Sequence, residues 1–151
     1  MKMRTALRSI LLAAMVVALS AACTAPPKSG PWMRIDPKAS EIWLYDGSPN
    51  GTGPLVPATS VTAHLYNCPE GDYMVIAELV QDGVEAQWAT TALGAGEVFC
   101  HDGEDQTVSM GFYRYPGEIH PGEATATFGL RTSQGDVLVT ETQVVDIPRS
   151  T

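Results

Sequence analysis

The stretch YNCPEGDYMVIAELVQDGVEAQWATTALGAGEVFCHDGEDQTVSM, residues 66–110, decides the fold of this chain. It carries two cysteines, Cys68 and Cys100, and turn residues follow each of them directly. Apolar and β-branched residues fill the segments between, which is typical of strands that are bounded by turns. The pattern predicts two strand ends tied by a disulfide, with other strands paired around them.

The rest of the chain indicates an all-β domain. Pairs of Gly with Asp, Asn or Pro recur along the sequence, and they favour tight turns because Gly readily adopts the positive φ that such turns need. Between the turns we predict strands over 32–35, 41–46, 60–67, 73–81, 84–90, 97–100, 106–114, 123–131 and 137–147. Residues 84–93 could alternatively form a short helix. Short, evenly spaced strands predict a β-sandwich of about 7–9 strands.

Strict alternation supports this interpretation. Val61, Ala63 and Leu65 share one face of their strand, and the runs 108–112 and 124–130 alternate in the same way. A period of two is the pattern of half-buried strands. We also expect five aromatic side chains in the core: Trp43, Tyr45, Tyr66, Phe112 and Phe128.

The first 22 residues have the pattern of an export signal. Lys2, Arg4 and Arg8 give a positive start, residues 10–19 are apolar, and 20–22 are small. The apolar run is shorter than the ~20 residues that span a bilayer. We therefore expect residues 1–22 to be a signal peptide.

The small residues lead directly to Cys23, and LSAAC at 19–23 resembles the lipobox of bacterial lipoproteins. That resemblance implies that Cys23 is lipidated, becomes the mature N-terminus and anchors the chain to the membrane. Ser20 stands where the family usually has an apolar residue. Cleavage after Ala22, which would give a soluble secreted protein, is the alternative. An exported chain with three cysteines has one left over after a single disulfide, and lipidation of Cys23 would leave Cys68 and Cys100 as a pair.

Residues 23–31 are rich in Pro, Ser and Gly and are predicted to form a tether, which leaves residues 32–151 for the sandwich domain. The chain has nine Lys and Arg against seventeen Asp and Glu. The signal segment removes three basic residues and no acidic ones, so the mature chain carries six against seventeen, a net charge of −11. Such a surface repels phosphates, and no nucleic-acid partner is expected.

A second resemblance concerns the domain itself. A Cys-Pro-x-Gly turn at 68–71, a second cysteine turn at 100–103 and a Pro-Gly-x-Ala entry at 121–124 resemble small secreted actinobacterial domains with an immunoglobulin-like sandwich. The second turn is one residue longer than the Cys-x-Gly of those domains. The resemblance implies that fold and an extracellular setting, and it implies no activity. Three predicted strands follow Cys100, whereas about one follows the second cysteine of an antibody domain. The predicted disulfide is therefore a local staple across turns.

The sequence shows no motif for catalysis or for cofactor binding. Three histidines and three nearby carboxylates invite a metal site, but their spacing is not that of zinc or calcium ligands; they are His64, His101, His120, Asp102, Glu104 and Asp105. There is no G-x-S-x-G elbow, and the G-x-G at 94–96 is predicted to be a turn. We expect no enzyme, no metal and no cofactor, although a pair of carboxylates like that of a glycosidase has no sequence signature.

One loop has the residue types of a binding surface. Tyr113, Arg114 and Tyr115 lead into a Pro-Gly turn, and Tyr and Arg are enriched where interfaces bind most strongly. In the alternative interpretation one Tyr packs inward, the other covers an edge, and Arg114 pairs with a carboxylate.

Together these features predict a lipid-anchored lipoprotein on the outer face of the cell membrane. Its sandwich would be a non-enzymatic module that binds an envelope protein or a wall component. A phage-type or prophage-type surface-exclusion lipoprotein is one alternative. A carbohydrate-active or metal-dependent enzyme is another.

Overall fold

The structure is a computed structural model that describes residues 30–46, 53–91, 96–102 and 104–149. The predicted signal peptide, Cys23 and most of the tether lie outside the described residues. No helix in the described ranges is long and apolar enough to cross a bilayer. The strands are β1 Trp32–Ile35, β2 Trp43–Asp46, β3 Leu55–Tyr66, β4 Gly71–Gln81, β5 Val84–Glu85, β6 Gln87–Thr91, β7 Glu97–Cys100, β8 Gln106–Tyr113, β9 Gly122–Thr132 and β10 Val137–Ile147.

These strands form two packed antiparallel sheets. In the first sheet the order is β1-β3-β8-β6. β1 and β2 pair with the same edge of β3, with β2 at the start of β3 and β1 at its end. In the second sheet the order is β10-β9-β4-β5, and β7 also pairs with β4. This is the strand order of an immunoglobulin-like sandwich, with one sheet of the ABED type and the other of the GFC type. The predicted all-β sandwich is confirmed.

The described strands number ten, whereas the sequence predicted about 7–9. The largest difference lies at residues 84–90, which were predicted as one strand. There β5 pairs with β4 in the second sheet, and β6 pairs with β8 in the first. Ala86 lies between them and is buried, so the chain crosses from one sheet to the other at this residue. Residues 84–91 form no helix.

The alternating residues form the core as predicted. Val61, Ala63 and Leu65 are buried against the other sheet, and so are the alternating positions of β8 and β9. Phe112 and Phe128 are fully buried. A core of this kind is the main source of stability in a domain of this size, because burial removes apolar surface from water.

Two details of the sequence interpretation are wrong. The strand predicted over 60–67 begins earlier, because Leu55–Tyr66 is one strand; Pro57 is tolerated there since β8 reaches only as far as Ala58. The second detail concerns the aromatic side chains expected in the core. Trp43, Tyr45 and Tyr66 are only partly buried, and the register places them on the outer face of the first sheet.

The disulfide joins Cys68 and Cys100, with their Cα atoms 5.9 Å apart, as predicted. Cys68 lies in the turn from β3 to β4, and Cys100 ends β7 opposite Gly71. The bond therefore ties a turn to a short edge strand, which is the local staple expected from the sequence. Closing a loop with a sequence separation of 32 is worth roughly 3–4 kcal/mol in the chain-entropy account.

The segment between β1 and β2 connects the two sheets. β1 belongs to the first sheet, but Lys38 forms a parallel bridge with Asp146 at the end of β10. Ala39 donates its N–H to the Asp146 carbonyl at 2.9 Å, and Asp146 donates to the Pro37 carbonyl at 2.9 Å. The segment from β1 to Ala39 is thus hydrogen-bonded to both sheets.

Candidate functional site

The predicted binding residues lie where β8 ends and the segment 114–121 begins, which we call the β8–β9 loop. The loop turns at a cis peptide bond between Tyr115 and Pro116. Ile119 points inward and is buried, so the loop is anchored in the core at its far end. The exposed residues of the loop are 115–118 on one side of Ile119, and His120 and Pro121 on the other.

A buried glutamine at the end of β4 fixes this loop. The side chain of Gln81 is fully buried, and its Nε2 donates to the His120 carbonyl oxygen at 2.9 Å. Its Oε1 accepts from the His120 N–H at 3.2 Å. A side-chain amide thus bonds both backbone groups of one loop residue, much as a neighbouring strand would. A buried polar side chain is stable only when its groups are paired in this way.

Charged groups surround the same junction. His120 Nε2 lies 2.7 Å from Asp82 Oδ2, and Arg114 Nη1 lies 3.9 Å from the same oxygen. His120 Nδ1 lies 3.0 Å from the Pro121 carbonyl oxygen. The hydrogen bond to Pro121 and then the hydrogen bond to Asp82 raise the pKa of His120 above its ordinary value of 6.5, because both favour the protonated ring.

The structure separates the three residues that the sequence grouped. Tyr113 packs its ring against Tyr45 at 5.0 Å between centroids, so it covers the outer face of the first sheet. Arg114 is 15% exposed and donates to the Gln81 carbonyl at 3.4 Å. Tyr115 is 61% exposed. Of the three, Tyr115 is the side chain that a partner can reach without displacing other contacts.

The three histidines are not brought together. His64 lies 3.1 and 3.2 Å from the two carboxylate oxygens of Asp36, and His101 packs on Phe99 at 4.7 Å between centroids. His120 belongs to the β8–β9 loop. Within the described residues, no group of three or more His, Cys, Asp or Glu side chains is placed to hold a metal ion.

A second surface escaped the sequence analysis. On the outer side of the second sheet several apolar side chains are exposed, among them Met74, Phe99, Leu138 and Val144. An open hollow of about 390 Å³ lies beside Met74 and Phe99. Exposed apolar side chains on one sheet face often mark an interaction site. The pair Val144-Val145 could have indicated this surface in the sequence. Only one of two adjacent strand residues can face the core, so the other valine must face outward.

Comparisons with known proteins assign no family to this chain. No protein-family profile matches the sequence, and no curated protein matches it significantly. One similar solved structure is a FixG-related protein from Vibrio parahaemolyticus, with 11% sequence identity and a TM-score of 0.46. The likeness covers 82% of this chain and all of that chain.

Proposed function

We propose that the chain is an exported lipoprotein of the cell envelope whose β-sandwich is a non-enzymatic binding module. The observation that carries the anchoring part is the disulfide between Cys68 and Cys100. It accounts for two of the three cysteines, and the third, Cys23, directly follows the signal-like segment. Disulfides persist in oxidising compartments, which agrees with export. Two acyl chains on Cys23 would be enough for stable anchoring.

The binding part is supported by where the exposed groups lie. Two titratable side chains of the β8–β9 loop, His120 and Arg114, help to hold the loop because both contact Asp82. The loop exposes the ring of Tyr115, and apolar strand residues are exposed elsewhere on the domain. Such groups suit contact with a protein or a wall polymer better than they suit proton transfer.

Anchoring is tested by fractionation of the full chain. The wild type should enter the detergent phase, and its N-terminal peptide should show the mass of a diacylated cysteine. Replacing Cys23→Ser should move the protein, unprocessed, to the soluble fraction. The matched control replaces Cys68→Ser and Cys100→Ser together, which should leave the chain in the detergent phase. A wild type found in the aqueous phase would instead establish a secreted protein.

Binding is tested separately with the exposed tyrosine. Tyr115→Ala should change the free energy of unfolding by less than about 0.5 kcal/mol, because the ring is mostly in water. The variant and the wild type are used to capture partners from solubilised membranes. Loss of a captured partner with Tyr115→Ala places the contact at the β8–β9 loop. An unchanged set of partners moves the contact to another surface.

A further inference from the structure

The long outer edge of β10 differs from the other long edge of its sheet. That other edge belongs to β4, and the chain covers it by several devices. β5 and β7 pair with its two ends. Between them Val75 donates to the Gly96 carbonyl at 2.6 Å, and the Trp88 indole donates to the Ala77 carbonyl at 2.7 Å. Proteins cover or blunt sheet edges in this way because an open edge can pair with another chain.

β10 has almost no such cover. It has eleven residues and pairs with β9 along its length. Among the described residues, backbone hydrogen bonds reach its outer edge only at Asp146, through the segment 37–39, although β1 of the first sheet also lies close to β10. The short edge strands of the first sheet have four or five residues each. β10 contains neither Pro nor Lys, the residues that most often protect an edge.

The hydrogen bonds at Asp146 show which groups face outward. Asp146 directs both its N–H and its carbonyl away from β9, to Ala39 and Pro37. In an antiparallel pair this direction alternates along the strand, and the register from 139 to 147 has no shift. Thr140, Thr142 and Val144 therefore direct their backbone groups to the open edge. The Val144 carbonyl accepts from the exposed Gln143 side chain at 3.0 Å, and a partner could replace that local bond.

The side chains along this edge are apolar, uncharged polar or acidic, and none of them is basic. Val137 and Val144 are each 52% exposed, and Leu138 is 41% exposed. Glu141 lies in the middle of the open stretch, and Glu78 is in register with Thr142 two strands away. The basic groups lie at the two ends, with Arg131 opposite Val137 and Lys38 opposite Asp146.

This charge pattern favours one kind of occupant. Two copies of the chain joined antiparallel through the middle of the edge would bring their Glu141 residues together, in a chain whose net charge is already −8. Like charges that meet at an interface disfavour it, whereas opposite charges favour association. A basic segment would gain that attraction along with the hydrogen bonds.

We propose that residues 137–144 of β10 form a docking edge for an extended, lysine- or arginine-bearing segment of a partner protein, which adds as a strand to the second sheet. Main-chain hydrogen bonds would provide affinity, and the acidic and apolar side chains would provide selectivity. The inference rests on the proposed binding function but not on the lipid anchor. It also differs from binding at Tyr115, which lies on the β8–β9 loop.

The probe is a synthetic peptide of about nine residues that alternates lysine with threonine and valine, long enough for the open stretch at ~3.3 Å per residue. Binding to the purified full chain is measured by calorimetry, and backbone contacts by amide hydrogen exchange. We expect binding that weakens with salt, with new protection at Thr140, Thr142 and Val144. The same peptide with N-methyl groups along one edge, and a glutamate-for-lysine version, should each bind at least about tenfold more weakly.

Variants of the chain locate the contact. Thr142→Pro removes one outward N–H and no backbone hydrogen bond to β9, so it should lower the affinity at least about tenfold. Thr142→Val is the matched control, since it also removes the Thr142 hydroxyl that bonds Thr127, and it should bind like the wild type. Glu141→Lys should weaken binding of the basic peptide and strengthen binding of the acidic one. This variant tests the docking edge even if the proline variant fails to fold.

Four results would overturn the proposal. They are unchanged binding by Thr142→Pro, protection at other strands, equal binding of the acidic and basic peptides, and no peptide binding with dimers forming through β10. Detergent partitioning of the same samples reports on Cys23 independently, so failure of the docking edge is distinguishable from failure of the anchor.

Discussion

Replacing Gln81→Met tests whether the buried amide holds the β8–β9 loop. Methionine has nearly the same length and volume, so the core should stay filled. The substitution removes the bonds of 2.9 and 3.2 Å to the His120 backbone. Each such bond contributes about 1 kcal/mol net, and its loss costs more where the backbone group left without a partner is shielded from water. The free energy of unfolding should therefore fall by about 2–3 kcal/mol. For a domain of this size that is roughly 6–15 °C in Tm.

The measurement is urea unfolding followed by tryptophan fluorescence and by circular dichroism, with amide exchange at His120 as a local readout. Gln87→Met is the matched control, because Gln87 is exposed, and its change should stay within about 0.5 kcal/mol. A loss for Gln81→Met no larger than that of the control would refute the reasoning. The ion pair between His120 and Asp82 would then be enough to hold the loop.

Three other perturbations follow from the geometry. Replacing Cys68 and Cys100 together by alanine should lower the unfolding free energy by roughly 3–4 kcal/mol, measured in urea; a loss below about 1 kcal/mol would contradict the staple. The pKa of His120 is raised on folding, so protonation of His120 stabilises the folded state fully below pH 6.5, and this stabilisation is lost as the pH rises through the higher pKa of the folded state. The free energy of unfolding, measured across that pH range, should therefore fall. In His120→Gln this fall should be absent. Gly96 has φ +80°, and an added Cβ would collide with the Val75 carbonyl oxygen, so Gly96→Ala should cost more than about 1 kcal/mol; wild-type stability would show that the turn adapts.

Much of the fold could be predicted because strand signals are local. Alternation in β3, β8 and β9 identified the inward-facing residues, and the turn residues after Cys68 and Cys100 indicated the disulfide. The pairing between distant strands could not be predicted. Nothing in the residues near Ala86 states that the chain changes sheets there, because that depends on which distant strands lie alongside.

The candidate site was less predictable for the same reason. The composition of residues 113–115 suggested an interface, but Tyr113 is covered by Tyr45, which lies far away in the sequence. Gln81 showed no sign of its role, since its partner, His120, is 39 residues distant. The open edge of β10 depends on which strand occupies the edge of the sheet, and strand order is a property of the whole topology.

The bridge between Lys38 and Asp146 has a mechanical consequence for a domain held by its N-terminus. Segment 37–39 runs parallel to β10 there, so once β1 has detached from β3, a pull on residue 30 against the end of β10 slides the segment past β10. Both backbone bonds at Asp146 then bear load together, and they do not open one after another. The next bonds along the chain, from Asp36 to Thr62 and from Ser40 to Ser60, lie in the other sheet. Resistance to stretching is governed by the rate of unfolding. A substitution at Pro37 or Ala39 could therefore shorten the lifetime of the loaded domain with little effect on its stability at rest.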